Sequence, residues 1–304
     1  MISLTNFREL TLSAANALSP SHLSAASGLV CLKSFIYVVA DDELHLGVFV
    51  ASDSEPGQLI RLFEGALPEN RQDRKKLKPD LEALTLLPAH EHYPHGALLA
   101  LGSGSTRNRR IGALIELDEE GVVRGAPRVI DLSPVLAPLE DEFPALNIEG
   151  AVVCGDELRL LQRGGKKHGE NAVVRFRLAA LLAAFGSVRG NAIKPLAIKP
   201  IDLGTIDGIP LGLTDAAALP DGKMVFTAIA EDTDDSYNDG PCVGAAIGVV
   251  RANGQLHCLH RLNRPYKVEG VDARLDGNVA QLLLVTDADD RDIPAALFSA
   301  TLSL

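Results

Sequence analysis

One phrase, written five times, constrains this chain more than any other feature. A strand-like run, a tight turn, a second run, a charged loop and a third run follow one another in that order. The phrase begins at ASGLVCL (Ala26), DLEALTLL (Asp80), NIEGAVV (Asn147), LTDAAALPDG (Leu213) and VEGVDARLDG (Val268). Self-similarity at such a period is how repeat architectures announce themselves, because one unit cannot bury its apolar face alone. The runs are short and rich in Val, Leu and Ile with only partial alternation, which suits strands covered on both faces by stacked sheets. Gly155-Asp156, Asp221-Gly222 and Asp276-Gly277 supply the turn chemistry of tight hairpins.

A fourth run usually follows: QLIRLFEG from Gln58, RVIDL from Arg128, KPIDLG from Lys199 and QLHCLHRL from Gln255. The fifth unit lacks one, and FRELTL, Phe7 to Leu12, is positioned to supply it. A first strand that completes the last sheet leaves no open edge. The pattern therefore predicts an all-β fold, a five-bladed β-propeller closed by its N-terminal strand and forming a single domain over residues 1–304. A six-bladed ring, with an extra blade between Val173 and Leu211, is the architectural alternative. Repeat starts at Ser27, Glu82, Glu149, Asp215 and Glu269 are spaced by 55, 67, 66 and 54 residues. These exceed the ~40–50 residues of a compact blade, so long connections are expected. Two are visible: the charged ALPENRQDRKKLKPD (Ala66 to Asp80) and the apolar LAALLAAFG (Leu178 to Gly186).

In such a ring the first strand of each blade lines the central channel. Its entry and the loop between its second and third strands open on one face. Ser27, Glu82, Glu149, Asp215 and Glu269 are thus expected around one channel mouth. Four converging acids need protons, hydrogen bonds, basic neighbours or a cation to coexist. A hard cation such as Ca²⁺ takes ~6–8 oxygen ligands, and Glu82, Glu149, Asp215 and Glu269 are its candidate ligands, with Asn147 and Asp272 in support. The other reading of the same acids is structural: carboxylates tie backbone amides of adjacent blades, and the following glycines permit close packing.

The surrounding loops divide by sign. Arg107, Arg109, Arg163, Lys166, Lys167 and His168 fall in units two and three, while Glu231, Asp232, Asp234, Asp235, Asp287, Asp289 and Asp290 fall in units four and five. Arg107, Arg109, Lys166, Lys167 and Asp287 are candidate ligand contacts for a small anionic molecule. Glu149, His168 and Arg163 are the candidate catalytic groups, in a site where a divalent ion polarises an ester, lactone or phosphate oxygen. A rim that binds a protein partner without catalysis is the competing function.

Composition removes several classes. The net charge is −11, aromatics are 4% of residues and Trp is absent. Phosphate backbones need a positive field and single strands need aromatic platforms, so nucleic acid is not an expected partner. No run reaches the ~18 apolar residues of a membrane span, so no membrane association is expected. MISLTNFREL does not read as a signal peptide, and the four cysteines show no C-x-x-C spacing, so a cytoplasmic location is expected. No G-x-S-x-G elbow occurs, and GSGSTRN lacks the ending of a phosphate loop. The three histidines of HEHYPH (His90 to His95) fall in a loop expected on the opposite face.

The repeated phrase, NIEGAVV at Asn147 and KVEGVDA at Lys267, resembles bacterial propeller families of unassigned activity grouped with phytase-like esterases. More distantly it is similar to the gluconolactonase–regucalcin propellers. The second resemblance implies a divalent cation held in the central channel by Glu, Asn and Asp, roles that fall by position on Glu149, Asn147, Asp215 and Glu269. The proline-bearing lactonase motif is absent from this chain.

Overall fold

A computed structural model describes residues 1–13, 20–166, 169–186, 191–233 and 240–304. The described chain forms five small antiparallel sheets arranged in a ring. Blade one comprises Ala26–Leu32, Phe35–Ala40, His45–Val50 and Gln58–Arg61. Blade two comprises Leu81–Leu87, Ala97–Gly102, Ile111–Leu117 and Val123–Asp131. Blade three comprises Ile148–Cys154, Glu157–Gln162, Ala172–Arg177 and Ala197–Pro200. Blade four runs through Ile209–Ala218, Met224–Glu231, Cys242–Val250 and Leu256–Arg261, preceded by the two-residue strand Thr205–Ile206.

Blade five closes the ring. Its strands Val268–Asp276, Val279–Thr286 and Ala296–Ser303 are completed by Thr5–Glu9, which pairs Thr5 with Ser299 and Glu9 with Ala296. The region between Val173 and Leu211 therefore holds the outer strand of blade three and a short hairpin arm, not a sixth blade. The closing strand is clamped from the side by Arg8. Its guanidinium donates to the Asp53 and Glu55 carbonyls at 2.7 and 2.6 Å and lies over the Phe49 ring.

Aliphatic residues from facing blades interdigitate in clusters that run from seam to seam, for example Leu98, Ala100 and Ile115 of blade two with Tyr37 and Val39 of blade one. Burial on both faces explains why the strands read as continuous Val/Leu/Ile runs rather than strict alternation. The predicted connectors are both helical. LAALLAAFG contributes the helix Leu178–Phe185, which buries Leu178, Leu181 and Phe185. The charged connector forms the helix Arg71–Leu77, whose N-cap Asn70 accepts from the amides of Gln72 and Asp73.

Each innermost strand carries a β-bulge where the repeated phrase begins. The ladder skips between Ala26 and Gly28, Leu81 and Ala83, Ile148 and Gly150, Leu213 and Ala216, and Val268 and Gly270. Bulges bend a strand and re-aim the extra side chain. Ser27, Glu82, Glu149 and Glu269 are those extra residues. The glycines after the bulges of blades one, three and five are close approaches between blades. A Cβ on Gly28 would lie 2.7 Å from the Leu84 nitrogen, and one on Gly270 2.7 Å from the Ser27 carbonyl. This is why the phrase reads Glu-Gly or Ser-Gly.

Candidate functional site at the channel mouth

Asp80, Asn147 and Lys267 stand just before the strands, two positions ahead of the bulge residues Glu82, Glu149 and Glu269. Contacts or charge effects join each pair at the mouth. Asn147 Nδ2 donates to Glu149 Oε1 at 2.5 Å. Lys267 Nζ lies 3.8 Å from Glu269 Oε1. Glu82 feels the charge of Asp80, and it also feels Glu149 from the next blade.

The acids of the mouth are met by resident cations. Arg163 bridges blades three and four, with Nη1 3.2 Å from Glu149 and Nη2 2.9 Å from Glu231. Lys267 gathers Asp287 at 3.1 Å, Asp289 at 2.5 Å and Glu231 at 3.9 Å. Lys78 sits between Asp41 and Asp80, 2.9 Å from the latter. Arg109 closes on Asp80 at 2.7 Å, and the same carboxylate accepts from Ser103 Oγ at 2.5 Å.

The pKa directions follow from this crowding. Burial pushes Glu82, Glu149 and Glu269 up; for Glu149 and Glu269 the Arg163 charge opposes that push. Burial alone would lower Arg163, Lys78 and Lys267, yet their acidic neighbours outweigh it and raise all three. These cations stay charged, so they are fixed parts of the mouth. Glu269 Oε2 is buried without a hydrogen-bond partner among the described residues.

Asp215 departs from the expected ring. It is 1% exposed, and its Oδ2 accepts the Val271 amide of blade five at 3.0 Å. A Cβ on Gly150 would meet the Asp215 Cα and the Thr214 carbonyl, just as one on Gly270 would meet the Gly28 Cα and the Ser27 carbonyl. By that contact Thr214 is blade four's counterpart of Ser27, Glu82, Glu149 and Glu269, and Asp215 stands in the glycine position. Thr214 is fully buried and donates to the Val268 carbonyl at 2.9 Å. Asp272 repeats the seam role, its Oδ2 accepting the Cys31 amide of blade one at 2.8 Å. The tethering reading of the repeat acids thus holds for Asp215 and Asp272.

The expected cation ligands Glu82, Glu149, Asp215 and Glu269 do not converge on one point. Among the described residues, the acids that bring oxygens within 4.8 Å of one another are Asp41, Asp80 and Glu82. The Lys78 ammonium already lies against the first two. Guanidinium and ammonium groups therefore stand where the sequence suggested a divalent ion.

Beside this network opens a cavity of about 80 Å³. One wall is basic: Arg71, Arg74 and Lys75 of the connector helix, with Lys78 just beyond it. The other is acidic: Asp41 and Asp42 from the loop between the second and third strands of blade one, and Asp287, Asp289 and Asp290 from the equivalent loop of blade five. Arg291 reaches across the opening, 3.7 Å from Asp42 and 3.3 Å from Glu69. Burial, reinforced by Asp41 and Glu43 and opposed by Arg74 and Lys78, raises Asp42 to about 6. Burial, opposed by Lys267, raises Asp287 to about 7.

Of the predicted ligand contacts, Asp287 lines this cavity. Arg109 lies deeper, committed to Asp80, while Arg107 is exposed in the turn Arg107–Arg109. Lys166 pairs with Asp232. Lys167 and His168, like Asp234 and Asp235, lie outside the described residues. Lys78, Asp80 and Lys267 were missed as site residues, although the two-residue offset of Asp80 from Glu82 and of Lys267 from Glu269 was a usable signal. The basic wall of the cavity comes from the connector helix before blade two, while Arg109 and Arg163 of units two and three join the network beside it.

Comparison with known proteins adds a family and a frame. The model of a family described as "Family of unknown function (DUF6929)" matches residues 22–302. No curated protein matches the chain. Among solved structures, the glutaminyl cyclase of Myxococcus xanthus is similar at 8% identity and TM-score 0.53, over 100% of this chain and 98% of that one. An α-L-arabinofuranosidase from Podospora anserina in complex with cellotriose is similar at 10% identity and TM-score 0.52, over 99% and 96% of the two chains. At these identities the likeness concerns the fold. No described helix is long and apolar enough to cross a membrane.

Proposed function

This chain belongs to the DUF6929 family, and we propose that its channel mouth binds a small anionic molecule and hydrolyses an ester, lactone or phosphoester bond in it. One observation carries the reading: a cavity of about 80 Å³ at the mouth, where cations of the connector helix face carboxyls from blades one and five. Concave sites with a few convergent polar groups and shifted acids are the default place for small-molecule chemistry. Arg71, Lys75 and Lys78 supply the field that draws an anion in. Glu149 and Arg163, expected as catalytic groups, pair with each other at 3.2 Å in the charged network beside the cavity. The two solved structures of the same frame are named as enzymes, which suits a catalytic reading without identifying the substrate.

The donor set does not fit the expected Ca²⁺ ring, because Arg163 lies against Glu149, Lys267 lies against Glu269, and Asp215 is spent on the Val271 amide. No step is routed through a metal. The test is turnover of p-nitrophenyl acetate, a γ-lactone and p-nitrophenyl phosphate by the wild type and by an Arg71→Ala/Lys75→Ala double variant. The expected result is turnover of one probe class, with KM raised about 10-fold or more in the variant, since each charge-assisted contact contributes about 1.5–3 kcal/mol. A wild type inert on all three probes, with no change in melting on adding each anion, removes the reading and leaves a protein-binding rim as the function.

A further inference from the structure

The cavity beside the mouth carries both signs of charge. Carboxyls and cations line it in equal number. Most of them are spent on one another or on the network behind. Lys78 lies against Asp41 and Asp80, and Lys267 holds Asp287 and Asp289. Arg74 donates to the Asp42 carbonyl at 3.0 Å and pairs with Glu43 at 3.2 Å. Arg291 is divided between Glu69 and Asp42. Two lining charges stand apart from this pairing. Among the described residues, neither Arg71 nor Asp290 has a salt-bridge partner. Asp290 Oδ1 accepts the Asp292 amide at 3.0 Å, which leaves its second oxygen over. Arg71 belongs to the connector helix and Asp290 to the loop between the second and third strands of blade five, so the two stand on opposite walls.

We propose that this cavity takes a small molecule bearing an ammonium group as well as its anion, an amino-carboxylate or amino-phosphate, with Arg71 receiving the anion and Asp290 the ammonium. The inference rests on the anion-binding reading above and narrows its substrate class.

Charge balance selects such a ligand. A molecule of one sign entering a balanced cavity meets repulsion from one wall over the same range as attraction from the other. A molecule of both signs sets each end against its complement, and the like-charge wall discriminates against the one-signed analogue. The guanidinium of Arg71 matches a carboxylate or a phosphate through two parallel hydrogen bonds. An ammonium brings three donors and no acceptor, which suits a wall of carboxylates. That wall has acceptors to spare: besides the second Asp290 oxygen, Asp42 Oδ1 is buried with no hydrogen-bond partner among the described residues. The volume of about 80 Å³ leaves room for roughly three to eight waters, so the molecule is small. Sequence reading expected a divalent ion among the acids; the ligand's own ammonium serves on that side instead.

Titration calorimetry at pH 8, where Asp42 and Asp287 are ionised, tests this in a chelator-containing buffer, so that no divalent ion supplies the positive charge. One series compares γ-aminobutyrate with butyrate and butylamine, the other O-phosphoethanolamine with ethyl phosphate. In at least one series the two-signed compound is expected to bind about 10-fold or more tightly than its one-signed analogues. Asp290→Asn keeps an acceptor for the Asp292 amide, and melting curves confirm its folding. It is expected to erase the advantage while the anion alone binds as well or better, because a like charge has left the cavity. Arg71→Gln is expected to weaken the two-signed compound and the anion alike. Equal binding of the anion and its two-signed analogue in both series, or an Asp290→Asn loss equal for the two, overturns the inference and leaves the anion-binding reading standing. Butylamine binding as tightly as γ-aminobutyrate, or no binding by any compound, overturns both.

Discussion

Asp215 and Glu149 stand one position apart in the same phrase of neighbouring blades, yet one belongs to a seam and the other to the mouth. Asp215 and Asp272 spend an oxygen on a backbone amide of the next blade. Glu149, with Glu231 and Asp287, spends its charge on side-chain cations. A backbone amide cannot leave, so the seam acids act as fixed fasteners. A side-chain cation is shared among several acids, so the mouth forms a network in which each charge depends on the others. The difference teaches that burial alone does not assign an acid its role; the nature of its partner does.

Three measurements break or sharpen this contrast. The largest effect is expected from Arg163→Met, which strips the shared cation from Glu149 and Glu231. Removing one partner of a buried ion network costs about 3–5 kcal/mol, read as a drop in urea-unfolding free energy. Adding Glu149→Gln is expected to recover part of it, and full additivity of the two changes would contradict the network.

Next is the pH dependence. Asp42 and Asp287 have folded values of about 6 and about 7, above the ~3.9 of an unfolded Asp. Between these limits the folded state binds more protons than the unfolded one, so stability falls as pH rises from about 4 to about 7. The unfolding free energy at pH 8 is expected to lie on the order of 2–4 kcal/mol below that at pH 5. An Asp42→Asn/Asp287→Asn double variant should lessen the slope without abolishing it, since Glu82, Glu149 and Glu269 are raised as well, and a wild type more stable at pH 8 would refute the assignment.

The smallest effect concerns the seam. Asp215→Ala leaves the Val271 amide without an acceptor, a cost of about 1–3 kcal/mol, whereas Asp215→Asn keeps an acceptor oxygen and should melt near the wild type. Equal losses in the two variants would mean the tether is not what Asp215 provides.

Much of this architecture was legible in the residues. The five phrases, the fourth strands and the closing N-terminal strand follow from turn pairs and apolar runs, which are local features. The repeat also puts Glu82, Glu149 and Glu269 at equivalent bulges of their blades. What was not legible depends on distant partners. The Thr214-Asp215 pair could be aligned on either residue, and only the packing of Gly150 against it resolves the choice. Asp41 meets Lys78 because a capped helix intervenes between blades one and two, and nothing local to Asp41 announces that. The cations beside the expected metal ring were hidden for the same reason: carboxylates were countable in the repeat, but Arg163, Lys78 and Lys267 enter from positions outside the aligned acids.

The pairing of Thr5 with Ser299 joins strands far apart in the chain. A ribosome releases Thr5–Glu9 long before Ala296–Ser303 exists to receive it. Thr5–Glu9 must therefore wait, unpaired, until its partner is made. Four blades have local partners and can assemble as they are made, so the fifth is expected to set the time at which the molecule becomes whole.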